Sequence, residues 1–75
     1  MQDRTLVVLA TDARINERLI ARGMAPMEGP CLSEIIRVAT GESLSSRDAL
    51  RLWQPERLAE DPRVREVLMR FAEAS

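Results

Sequence analysis

The stretch TLVVLAT at residues 5–11 admits two conformations, and the architecture follows from which one it takes. As a run of apolar and β-branched residues it suits a strand, ahead of a helix that Asp12 caps and Gly23 ends. The same ambiguity returns in EIIRVAT, residues 34–40. Ile35, Ile36, Val38 and Thr40 are β-branched and favour a strand. Yet Leu32, Ile35, Ile36 and Ala39 recur at helical spacing, and Gly41 stands where a C-terminal cap belongs. Two strands give a β-α-β-α-α chain with a two-stranded sheet. Two helices give an all-α bundle of four to five short helices. The helical reading is preferred, because a lone strand pair in so short a chain leaves long unpaired edges. On one continuous helix, Leu6, Leu9, Ala10, Ala13 and Ile20 share a face, while Val8, Ile15 and Leu19 share the opposite one. A helix apolar on two sides is either central in its bundle or covered by a second chain.

Outward from there the helical signals are plainer. Asp61 before Pro62 is an N-cap followed by proline at the first helical position, and Val64, Val67, Leu68, Phe71 and Ala72 make one apolar stripe. This predicts a helix over residues 62–74. Ser45, with Asp48 three residues on, reads as a variant capping box for a short helix carrying Ala49, Leu50, Leu52 and Trp53. Pro55 breaks it near Gln54 and opens another short helix through Leu58 to Glu60. Residues 23–30, GMAPMEGP, form a loop. No repeat or linker interrupts the chain, so residues 1–75 read as a single helical domain.

Composition limits what such a domain can do. A chain of 75 residues buries only about 60% of its unfolded surface, and one core of that size supplies about 3–5 kcal/mol. Cys31 is the only cysteine and histidine is absent, so neither a disulfide nor a zinc or haem set comes from this chain alone. No cofactor is expected. Regular helix packing or a second subunit remains as the source of stability. With 45% hydrophobic and 31% charged residues the chain belongs to the globular class. The longest apolar run, residues 6–10, cannot span a bilayer, and the N-terminus lacks a secretory pattern, so a soluble, cytoplasmic protein is expected. All eleven basic residues are arginine, against twelve acidic ones, a usage that fits a GC-rich bacterial genome. Guanidinium groups fork onto carboxylates and stack on flat surfaces, which suits interfaces.

Catalysis is argued against by what is missing. Without histidine, lysine or tyrosine the chain lacks the commonest general base, the Schiff-base amine and the phenolic acid. Cys31, near a proposed helix N-terminus, occupies a place that stabilises a thiolate, but nothing is there to activate it. The three glycines are isolated and no lysine completes a phosphate loop. The chain is therefore read as not an enzyme by itself.

One segment carries a sharper suggestion. In IIRVATGESLSSRDALRLW, residues 35–53, Ala39, Ser43, Leu44, Ala49 and Leu52 stand at the spacings of a bacterial helix-turn-helix, and the segment resembles that motif. The resemblance implies DNA contacts from Ser45, Ser46, Arg47 and Arg51. Glu42 departs from it at a place usually apolar, Ser43 stands for the usual turn glycine, and Gly41 comes two positions early. The net charge of −1 is also the wrong footprint for binding phosphates.

The leading expectation is a helical protein–protein interaction module, an adaptor, regulator or accessory subunit facing a protein partner or a second copy of itself. Met24 and Met27 in the loop offer adaptable thioether contacts, although folding back onto the core is the simpler use. Trp53 beside Arg51 and Arg57 has the composition of an interface hot spot, although a core role is favoured for so large an aromatic. A helix-turn-helix DNA-binding regulator is the second reading. A non-catalytic subunit of a larger enzyme is the third.

Overall fold

A computed structural model describes residues 4–74, and both ambiguous segments are helical in it. Five helices follow one another: α1 (Arg4–Ala21), α2 (Leu32–Thr40), α3 (Ser46–Leu52), α4 (Pro55–Glu60) and α5 (Pro62–Ala74). The fold is a small all-α bundle, and among the described residues there is no strand. The expected domain also takes in residues 1–3 and 75, which lie outside the described residues.

The 18-residue α1 is the central element and packs against each of the other four helices, while α2 also packs against α3 and α5, and α4 against α5. Asp12 is an exposed residue in the middle of α1 and caps nothing. The helix runs straight through it because the apolar residues of 5–11 and those after Asp12 continue one helical face.

The shorter helices are ended by local chemistry. Gly41 at the end of α2 takes the left-handed conformation, φ 81°, and returns its N–H to the Arg37 carbonyl at 2.8 Å. That conformation suits glycine because no Cβ meets the backbone. Ser45 Oγ accepts the Asp48 N–H at the start of α3, which is half of the expected capping box; the Asp48 carboxylate accepts from Arg51. Pro55 opens α4 after Gln54. Asp61 caps α5, its Oδ1 accepting from the N–H groups of Arg63 and Val64.

The core takes Leu6 and Ala13 from α1, Leu32, Ile35 and Ile36 from α2, Ala49 from α3, Leu58 from α4, and Val64, Val67 and Leu68 from α5, around Trp53. Phe71 packs at its edge. Among the described residues, no helix is long and apolar enough to cross a membrane.

Candidate interaction surface

Three polar residues of α1 are buried, and their partners explain how the other helices are placed. Arg14 lies inside the bundle and donates to the carbonyls of Leu50 at 3.1 Å and Trp53 at 2.6 Å. These are terminal carbonyls of α3, left without helical partners of their own. Gln54 Nε2 donates to the Leu50 and Arg51 carbonyls, and Arg57 donates to that of Leu52. The end of a seven-residue helix is thus capped by side chains from three places in the sequence. Burial, with Arg18 nearby, pulls the Arg14 guanidinium below its ordinary pKa, and Glu56 opposes that shift.

Asn16 and Glu17 serve the other side. Asn16 donates through Nδ2 to the Pro30 carbonyl and accepts the Met27 N–H through Oδ1, which fixes the loop between α1 and α2. Glu17 Oε1 accepts the Ser33 N–H at 2.6 Å, and Oε2 accepts the Ser46 hydroxyl. Its carboxylate therefore stands in the first turn of α2, where Cys31 at the N-cap supplies no side-chain bond and where the helix dipole favours a negative charge. Among the described residues, no buried side-chain polar atom lacks a hydrogen-bond partner.

With its polar residues inside, the chain has apolar ones left outside. The amino-terminal half of α1, with α4 and α5, borders an open cleft of about 580 Å³. Leu6, Val7 and Ala10 form one wall, Pro55, Leu58 and Ala59 the second, and Leu68 joins them from α5. Glu56 and Glu60 line it from α4, Thr11 from α1 and Arg65 from α5. The two glutamates are four residues apart on one helix and so lie on one side of it. Val7 on the lining and Val8 next to it are 41% and 51% exposed, and exposed Arg4 stands one turn before them on α1.

The residues singled out from the sequence fall elsewhere. Met24 and Met27 are both exposed, so neither folds back onto the core; the loop is held by its backbone bonds to Asn16. Trp53 is 1% exposed, and the Arg57 guanidinium lies 3.9 Å from its ring centroid. The tryptophan is core, with Arg57 as its cover. Arg51 is exposed and pairs with Asp48 at 3.3 Å. Of the residues proposed to touch DNA, Ser45 caps α3 and Ser46 is bound to Glu17, while Arg47 faces solvent. Residues 41–45 separate α2 from α3, a longer connection than the turn of about three to four residues in a helix-turn-helix.

Ile20 shares the helical face of Leu6 and Ala13, but it is exposed and borders a shallower cleft with Glu17, Cys31, Ser33, Arg37 and Leu44. Cys31 is half-buried there. Burial first, then the carboxylates of Glu17 and Glu34, push its thiol above the usual pKa, so the helix terminus does not yield a ready thiolate. Among the described residues, no group of three or more histidine, cysteine, aspartate or glutamate side chains could hold a metal ion.

Sequence reasoning missed Leu6, Val7, Ala10, Glu56 and Glu60 as a set. The signal was present in part: α1 is apolar over too wide an arc for a helix with one buried face. What the sequence could not supply is that α4 brings its glutamates beside that arc. Compared with known protein families, curated proteins and solved structures, the chain matches none.

Proposed function

We propose that this protein is a helical protein–protein interaction module, an adaptor, regulator or accessory subunit, whose docking face is the cleft between α1, α4 and α5. The observation that carries the reading is the pairing of an apolar, open cleft with Glu56 and Glu60 on its lining. Apolar clefts of this shape accept the apolar stripe of an amphipathic helix. Two carboxylates beside it favour a helix whose stripe is flanked by arginine or lysine. Catalysis has no part in this reading.

A designed helical peptide with a leucine and alanine stripe flanked by arginines tests it. Titration is expected to move the NMR signals of Val7, Ala10 and Ala59, and replacing the peptide's arginines by glutamates should weaken binding at least about tenfold. Ala59→Arg, which fills the cleft and cancels its net negative charge, should abolish the effect. Equal affinity for both peptides, or shifts gathered on α2 and α3, would contradict the reading.

The helix-turn-helix regulator stays as the second reading, because α2 and α3 pack together with Arg47 and Arg51 exposed. It ranks below the first because the Ser45 and Ser46 oxygens and the Arg51 guanidinium are already engaged within the chain.

A further inference from the structure

We infer that the occupant of this cleft is a second copy of the chain, the Val7 and Val8 ridge of each α1 seated in the cleft of the other. The inference rests on the docking reading above and names its partner. A two-fold dimer must present one surface that is complementary to itself. The surface around the cleft has both halves of such a match. The exposed valines stand next to the hollow that would receive them, and Ala10 and Ala59 keep the hollow open, since neither carries a side chain beyond Cβ. The charges correspond in the same way: α4 offers Glu56 and Glu60 to the cleft, which outnumber Arg65 on its lining, while exposed Arg4 stands one turn before the two valines on α1. With each valine ridge seated in the other copy's cleft, Arg4 of each copy is carried toward the glutamates of the other. Such a dimer covers the apolar surface that the small core leaves open, and oligomerisation is a common support for chains of this size.

Charge reversal in two complementary variants tests the pairing. Glu56→Arg/Glu60→Arg sets arginine against Arg4 of its own second copy, and Arg4→Glu sets glutamate against glutamate. Each variant alone is expected to dimerise at least about tenfold more weakly than the wild type, read by analytical ultracentrifugation over a dilution series. An equimolar mixture should regain the dimer, because in the heterodimer both contacts are again of opposite sign. Circular dichroism of each variant checks its helix content; Glu60→Arg alone replaces the double change if Glu56→Arg disturbs neighbouring Arg14. A wild type that stays monomeric at millimolar concentration, variants that dimerise as well as the wild type, or a mixture that fails to recover would overturn the inference. If the chain is monomeric yet the arginine-flanked peptide still binds the cleft, the second copy is wrong and the docking reading stands. If neither binds, both fall.

Discussion

The two halves of α1 invert the usual relation between polarity and burial. In the carboxyl-terminal half Arg14, Asn16 and Glu17 are buried, each bonded to a different part of the chain, while Ile20 is left at the surface. In the amino-terminal half, Leu6 reaches the core but Val7 and Val8 are exposed. One half fixes where the other helices go, and the other half leaves apolar surface over. A polar residue inside a small bundle is tolerated when every bond it can make is made, because an unpaired buried group costs more than a paired one contributes. Truncations in the two halves should therefore differ in kind: one kind changes the fold's stability, the other changes association.

The largest expected effect is at Glu17. Glu17→Ala leaves the Ser33 N–H and the Ser46 hydroxyl without their acceptor and should destabilise the fold by about 3 kcal/mol in urea denaturation. Glu17→Gln keeps one carbonyl acceptor and should lose roughly half as much. An alanine variant as stable as the wild type would remove the claim that this carboxylate organises α2 and α3. Arg14→Met is expected next, at about 2 kcal/mol, because it keeps the aliphatic stem but removes the buried donor to the Leu50 and Trp53 carbonyls; the midpoint of thermal unfolding reads it.

A capping residue outside α1 provides a calibration with a definite pH signature. Asp61 is held at about 2, chiefly by its side-chain bond to Arg63 and then by the N–H groups of Arg63 and Val64, against an ordinary value of 3.8. A carboxyl depressed in the folded state adds stability above its unfolded pKa and loses it as the pH falls through the folded one. Asp61→Ala should thus cost about 1 kcal/mol at neutral pH, and its difference from the wild type should shrink as the pH falls from near 4 toward 2. A difference independent of pH would show that the ionised carboxylate is not what caps α5.

The smallest effect on folding is expected in the amino-terminal half. Val7→Ser/Val8→Ser should change the stability of the monomer by no more than about 0.5 kcal/mol, since both residues are already exposed. The same pair should weaken self-association clearly in light scattering. If these changes unfold the monomer as Glu17→Ala does, the contrast between the halves is wrong.

Much of the bundle was legible because its signals are local. The Asp61 and Pro62 start, the stripe of α5, Ser45 at the start of α3 and Gly41 at the end of α2 each depend on residues within a turn or two. The apolar spacing of Leu32, Ile35, Ile36 and Ala39 outweighed the strand preference of their β-branched neighbours, since α2 meets α1, α3 and α5 and a helical stripe buries there. The polar residues of α1 were not legible. A pattern that sends polar side chains outward places Arg14 and Glu17 in solvent, and their partners lie 16 to 39 residues further along the chain. The cleft was half legible. The width of the apolar arc on α1 pointed to a covered surface, but Glu56 and Glu60 enter only because α4, after the break at Gln54, packs against that helix.

The most direct test of the account is an NMR dilution series of the methyl groups. As concentration rises, shifts are expected at Leu6, Val7, Val8, Ala10, Leu58 and Ala59, with Leu32, Ile35 and Ile36 beside Glu17's contacts unmoved. Shifts centred on α3 and the turn before it, or none at any concentration, would contradict it.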